Sequence, residues 1–547
     1  MAGQPAAKRA KTETGGDASD GGGSLAATMA ATVKQMDGRE GFDAVVVCTS
    51  NLAQEQYWQD RLVATRGQAA KKDAVIVAVH EDWAADGAGN GLGTLYAYAK
   101  ARAKAKAASG CDLDALLAKG GSVGIYHTAG KGTRLAPLPG AENNNKPGVK
   151  LPSLVDVGGS HAELTILEAV IRQTGCYAPR RSGRCSVFWG DQIFIPAKGH
   201  AESGGHHADI LAQMGPMPSE AEWKAKGLDK YGLIAVNAEA EAAQVEKVSY
   251  ETANELLKTF GAVKSVGPSL GSFSLSGEML AAMLQEFSAE IEGKEAKMDS
   301  DPHFWMPLTL SKEAYCSVMV TKDETAEQAG GHHDRMQAFK AKLLAAHPNR
   351  GVFGAIDVGE GCYWWDYGQL KLYQKNNMLA MEESEEAKAL RDYLKIPAGG
   401  VQASAVTGVK VTGNSLVLAS NIKGGSVNHS IASNVTTGKA EVNDCMLINV
   451  TARSIKANNC IVYNVVDDSE EGLVLPDGAV YTNVFVPGRE KLVQTSSVST
   501  DGGKVFKVKM TPNPYSFNDV YKMNQSTDVK EAYALGAKAH AALAKKI

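Results

Sequence analysis

The chain lacks paired cysteines: its eight, Cys48, Cys111, Cys176, Cys185, Cys316, Cys362, Cys445 and Cys460, are scattered, with no C-x-x-C spacing. That excludes a disulfide scaffold or a cysteine-based zinc module and predicts a reduced, cytoplasmic protein. It also lacks any apolar run near the roughly 18 residues that span a bilayer, and a signal-peptide core at its start. Charge of one sign is missing too. A net charge of −4 and a pI near 6.3 argue against a general nucleic-acid binder and leave no basic face for a membrane. A small anion held by a few local lysines and arginines remains open.

What is present points to several domains, because 547 residues exceed what one core organises. Residues 1–38 contain no aromatic residue and are rich in Ala, Gly, Ser and Thr, which predicts a disordered tail. Within it, PAAKRAKTE carries Lys8, Arg9 and Lys11 and resembles a short nuclear-import signal; a solvated basic tail is the plainer reading. Residues 39–397 alternate β-branched runs (DAVVVCTSN, DAVIVAVHE, SVGIYHT, RCSVFWGD, YGLIAVN, GVFGAIDVG) with helical stretches. This predicts an α/β domain with a Rossmann-like, mostly parallel sheet. YWWDYGQLKLYQKNNMLAM reads as helical. From 398 to 495 the texture changes to a short repeat, LASNI, IASNV, MLINV, IVYNV and VYTNV. Its asparagines Asn421, Asn434, Asn449, Asn464 and Asn483 lie 13, 15, 15 and 19 residues apart. That spacing predicts stacked coils, close to a left-handed parallel β-helix, each coil setting an Asn at a corner. Residues 496–547 form an extension with a closing helix.

The stretch GIYHTAGKGTRLAPLPG, 124–140, decides the chemistry. A P-loop requires G-x-x-x-x-G-K-[ST]; here Ile125 stands where the first glycine belongs, and Lys131 is followed by Gly132. What remains is a strand running into Ala129-Gly130-Lys131-Gly132-Thr133-Arg134. Successive backbone N–H groups around two glycines suit a polyphosphate, and Arg134 offers a planar fork for phosphate oxygens.

This segment resembles the G-x-G-T-R-L-x-P signature of the sugar-1-phosphate nucleotidylyltransferases, with Ala129 where that family usually has a third glycine. Further segments follow in the family's order. NNNKPGVKLP offers two lysines, Lys146 and Lys150; VFWGDQIF ends a strand in Asp191; QVEKVS holds Glu246-Lys247; SLGSFSLSG keeps Gly271 of a sugar-pocket segment without its Asn; WWDYGQLKLY carries Asp366. The resemblance implies a magnesium enzyme that joins an NTP to a sugar 1-phosphate and releases pyrophosphate. Asp191 and Asp366 would hold Mg²⁺, and Arg134 with Lys146 or Lys150 would neutralise the leaving pyrophosphate. Glu246, Lys247 and Gly271 would hold the sugar phosphate, and the glycine turn the nucleotide. No general base is required, so catalysis is positioning plus charge stabilisation.

GNGLGTLYAYAKA ahead of the signature is similar to the layout of fucose-1-phosphate guanylyltransferases and adds Gly89, Gly91 and Gly93 as nucleotide contacts; a tight turn before a helix is the alternative. GTP with fucose, UTP with glucose and ATP with glucose 1-phosphate all stay open as pairs, and the family implies a homo-oligomer. Two other classes stand beside the enzyme. One is a catalytically silent sugar-nucleotide-binding relative, suggested by Ala129 and the altered sugar segment. The other is acyltransferase chemistry in the repeat, for which His429 alone offers a group.

Overall fold

The β-branched runs form strands close to where they are predicted: Ala44–Thr49, Val75–His80, Ser122–His127, Arg184–Trp189, Gly232–Asn237 and Gly351–Asp357. The computed structural model describes residues 25–37, 40–84, 87–198, 205–258 and 260–547. PAAKRAKTE and the rest of 1–24 lie outside the described residues.

These strands belong to a nine-stranded sheet. Along its main path the order is Ala242–Glu246, Gly232–Asn237, Val263–Ser276, Arg184–Trp189, Ser122–His127, Ala44–Thr49, Val75–His80. From Arg184–Trp189 to Val75–His80 every pairing is parallel. The long strand Val263–Ser276 then runs antiparallel to each of its neighbours. The sheet is therefore mixed rather than mostly parallel. Helices cover both faces. Leu52–Ala64 and Ile166–Thr174 pack on one, Gly89–Ser109 and Gly277–Glu286 on the other, each burying its apolar positions.

Register sets the useful edge. The parallel strands all end together at Thr49, His80, His127 and Trp189. Val263–Ser276 pairs Phe273 with Val187 in antiparallel register, so its Gly271 lies level with Trp189 at that edge. Leu233 faces Pro268 and Gly232 faces Glu246, which brings Glu246 to the same end. Ligands of open α/β sheets gather outside the carboxyl ends of the strands.

Two local expectations are corrected. Tyr363–Asp366 is a strand paired with Gln192–Ile195, and only Leu370–Met378 of that stretch forms the long helix. Trp365 is fully buried on the strand, so sheet pairing and burial override helical spacing here. The disordered-tail expectation for 1–38 also fails over Leu25–Asp37, a helix that buries Met29, Val33 and Met36. Spacings of four and three residues put those side chains on one face, which compensates for the modest apolar content around them.

After Gly400 the strands pair in parallel with the strand about 15 residues later. Leu416, Ile431, Met446, Ile461 and Val480 stand in one ladder, all buried. Asn434, Asn449 and Asn464 take φ of 54°, 55° and 53° at the corners, a conformation Asn tolerates well. Their amides stack, Asn449 donating to Asn464 at 2.7 Å. Asn421 is not equivalent: it pairs opposite Thr436, and Ala419 takes the corresponding left-handed corner. Strand Leu492–Ser497 closes the ladder in antiparallel pairing, and the helix Val529–Ala544 lies against it. No helix among the described residues is long and apolar enough to cross a membrane.

Candidate functional site

Ser122–His127 delivers the chain into the glycine turn at the carboxyl edge of the sheet. Gly130 has φ +129° with open space where a side chain would be, and Gly132 has φ +60°. A Cβ on Gly132 would stand 2.9 Å from the Cβ of Lys146, so glycine there admits the stem of that lysine. Ala129, Gly130 and Lys131 are exposed. Thr133–Leu135 make one 3₁₀ turn carrying Arg134.

The two lysines separate cleanly. Lys146 bonds the Oδ2 of Asp191. Lys150 instead donates to Glu142 at 2.6 Å and to the Gly148 carbonyl at 3.0 Å. Its backbone N–H donates to the Tyr463 hydroxyl at 2.9 Å. Tyr463 and Tyr533 both donate to Glu142. Lys150 thus belongs to a buried network joining the α/β domain, the repeat and the closing helix. Burial alone would push its ammonium down, and the Glu142 carboxylate more than reverses this, leaving it above its ordinary value.

Asp191 lies in the turn between Arg184–Trp189 and Gln192–Ile195, and Asp366 ends the strand paired with the latter, opposite Gln192. The two carboxylates converge on Gly368. A Cβ there would stand 2.7 Å from Asp191 Oδ2 and 3.0 Å from Asp366 Oδ1. The Gly368 N–H donates to Asp366 at 2.6 Å. Burial raises the Asp366 carboxyl, and the neighbouring charge of Asp191 raises it further; the Gly368 N–H, Lys146 and Arg134 pull the other way. Two like charges pressed together want a cation. Among the described residues no group of three or more His, Cys, Asp or Glu side chains forms a metal cage. Mg²⁺ commonly uses one or two carboxylates plus substrate phosphates, which is the donor set this pair fits.

Glu246 accepts from Lys247 at 2.8 Å and Lys322 at 2.9 Å. Burial would raise its carboxyl, but those two cations hold it below the usual range. Gly271 has φ +74°, and a Cβ there would meet the Trp189 indole nitrogen at 2.5 Å. Both features sit at the shared edge. The Gly89–Gly91 turn is committed differently. Gly91 and Leu92 donate to the Met298 carbonyl at 2.9 and 3.2 Å, and the Asn90 N–H donates to Asp299 at 2.9 Å. Those three N–H groups are bonded within the protein and are not left for a phosphate. Gly93 faces Glu81 and His127 instead. His127 is held by Thr94 at 2.8 Å, and burial lowers it to about 4, keeping it neutral.

Two contacts lie beyond what the motifs alone disclose. Gly368 is visible in sequence only as a letter of the W-x-D-x-G segment, and its reason is the space between the carboxylates. Gly502 of the extension presses on the glycine turn: a Cβ there would meet the Thr133 carbonyl oxygen at 2.4 Å, and one on Gly503 would lie 3.4 Å from Arg134 Cγ. The adjacent pair in TDGGKV is the available signal. Gly502→Val is expected to push the Thr133–Arg134 turn out of place and lower activity by at least about tenfold, since misplacement on the ångström scale is costly. A steady-state assay checks this, and unchanged turnover would show that the extension does not set the turn.

Comparisons with known proteins add little. No protein-family model matches the chain, and no curated protein matches it. Among solved structures, one titled "Crystal structure of HddC from Yersinia pseudotuberculosis" is similar at 11% identity and a TM-score of 0.18, covering 61% of this chain and 96% of that one. A likeness of that size carries no argument about fold or activity.

Proposed function

We propose that the protein transfers a nucleotidyl group from an NTP to a sugar 1-phosphate, giving an NDP-sugar and pyrophosphate. The observation that carries this reading is convergence: the glycine turn with Arg134, Lys146, Asp191 and Asp366 meets at the carboxyl edge of the parallel strands. Asp191 and Asp366 would hold Mg²⁺, which when bound neutralises phosphate charge. Backbone N–H groups around Gly130 and Gly132 cradle the triphosphate, and Arg134 and Lys146 stabilise charge on the departing pyrophosphate. Lys247 orients the sugar phosphate. Its oxygen attacks the α-phosphorus; the bond from that phosphorus to the bridging oxygen breaks, and pyrophosphate leaves with the electron pair. The nucleophile is already an anion, so no proton has to move first. This is in-line positioning plus electrostatic stabilisation.

In the same reading the strands from Gly400 to Val484 are coils of a left-handed parallel β-helix, supported by parallel pairing at a 15-residue offset. Of the two lysines, Lys146 is the one assigned to chemistry and Lys150 to structure.

Pyrophosphate release with Mg²⁺ tests the proposal across ATP, GTP, UTP, CTP and dTTP, each paired with glucose, galactose, mannose, fucose and N-acetylglucosamine 1-phosphates. One strong pair is expected. Silence across the grid from folded protein that still binds a nucleotide would instead favour the silent relative suggested by Ala129 and by Ser269 at the Asn position. Arg134→Ala is expected to lower kcat by about 10²-fold, the usual effect of removing a donor to developing charge. Retained kcat with a raised KM would contradict that role.

A further inference from the structure

Lys146 makes two sets of contacts that lead to different places. Its ammonium bonds the Oδ2 of Asp191, and the pair is largely withdrawn from solvent, with side chains 19% and 17% exposed. Its stem runs along the glycine turn instead. A Cβ on Gly132 would stand 2.9 Å from the Lys146 Cβ, 3.1 Å from its Cγ and 3.2 Å from its Cδ. The stem is therefore packed beside the turn as far as Cδ, and only Cε and Nζ reach across to the carboxylate.

The ammonium sits on an oxygen that a bound divalent ion would use. From the Cβ position that Gly368 leaves bare, Asp191 Oδ2 lies at 2.7 Å, Asp366 Oδ1 at 3.0 Å and Lys146 Nζ at 3.5 Å. Two carboxylate oxygens and one ammonium thus crowd a single point. A lysine suits this place poorly as a permanent tenant. It is a compact charge on a flexible stem, with three donors and no acceptor, and it brings one positive charge to two carboxyl groups.

We infer that Lys146 is the resident counter-ion of the Asp191–Asp366 pair, and that exchange with a divalent cation releases it to the phosphates at the glycine turn. The inference rests on the nucleotidyl-transfer reading and adds an order of events to it. Lys146 leaves Asp191 when the ion arrives, because two cations on one carboxylate oxygen repel each other at short range. The stem limits where the freed ammonium goes. Packed against Gly132, it swings at its far end toward the turn, where phosphate oxygens offer charge-assisted hydrogen bonds in place of the one given up. Cation and nucleotide then favour each other's binding, each to the same degree.

The test uses Mn²⁺ as the probe, since carboxylate oxygens suit it as they suit Mg²⁺. Free Mn²⁺ is followed by electron paramagnetic resonance with wild type, Lys146→Met, Asp191→Ala and Lys131→Met. Lys131 is the control, a cation of the same turn whose ammonium lies over the Tyr521 ring. Lys146→Met is expected to bind Mn²⁺ at least tenfold more tightly than wild type, Asp191→Ala at least tenfold more weakly, and Lys131→Met within twofold. Acylation of Lys146 in wild type, read by peptide mass spectrometry, should quicken at least threefold when Mn²⁺ saturates the protein. Folded Lys146→Met that binds Mn²⁺ no more tightly than Lys131→Met would overturn the exchange, as would acylation indifferent to Mn²⁺. If Lys146→Met fails to fold, the acylation rate of wild type decides alone. The arms also separate the two claims. Tighter binding by Lys146→Met from a protein that releases no pyrophosphate would sink the transfer reading and leave the counter-ion standing. Turnover with Mn²⁺ affinity unmoved by Lys146→Met would sink the counter-ion alone.

Discussion

An Asp191→Ala variant is expected to lose pyrophosphate release by at least about 10³-fold, equivalent to about 4 kcal/mol of transition-state stabilisation, while keeping its fold. The side chain's contacts explain the separation. The Asp191 carbonyl oxygen accepts the Tyr367 N–H at 3.0 Å, so the backbone link to the neighbouring strand survives substitution. Its carboxylate bonds Lys146, whose side chain is 19% exposed and can rehydrate. Removing the carboxylate also relieves the repulsion that helps raise Asp366. On the proposed reading, what disappears is half of the carboxylate pair that would hold Mg²⁺ and neutralise phosphate charge. Turnover is measured against Mg²⁺ concentration, alongside a melting curve. Full activity at ordinary Mg²⁺ would remove Asp191 from the site; a lost melting transition would recast it as structural.

Lys150→Met is expected to do the reverse and destabilise the protein by about 3–5 kcal/mol, the cost of leaving a buried carboxylate without its cation. Glu142 is the group left behind, with a side chain only 4% exposed. The pH dependence has a definite sign. The Lys150 ammonium titrates above its ordinary 10.5 in the folded protein, so its contribution is complete below that value and fades only as pH climbs through the raised one. The stability gap between wild type and Lys150→Met should accordingly stay constant from about pH 6 to 9. Denaturant melts at several pH values check this, with Lys146→Met as the partner experiment: that variant should lose activity and little stability. If the two lysines exchanged phenotypes, the assignment of Lys146 to chemistry would fall.

The two lysines also mark how far the sequence could be read. They sit four residues apart in one motif-like segment, and nothing in their spacing tells them apart. The difference comes from Tyr463 and Tyr533, more than 300 residues downstream. The strand positions were legible because burial on both faces writes itself as uninterrupted β-branched runs. The long ladder was legible because in-register stacking repeats a composition every 15 residues. Strand direction was not, since Val263–Ser276 has the same alternation whichever way it runs. Nor was Asn421 distinguishable from its neighbours, because one shift along the chain exchanges the corner for the next strand. The glycine turn could be located, but the pressure of Gly502 upon it could not. Such contacts lie between distant segments and leave only a small residue as their trace.

The network around Glu142 has a consequence for synthesis. Glu142 and Tyr533 are separated by 391 positions, and a ribosome adding about 5–20 residues per second needs roughly 20–80 s to cover them. During that interval the nascent α/β domain carries a Glu142–Lys150 pair with no aromatic roof. Its glycine turn likewise waits for Gly502. The glycine turn is thus made early and finished late, so a stall in the final stretch of translation would yield chains that carry the turn, Arg134, Lys146, Asp191 and Asp366 without the contacts that the extension and closing helix supply.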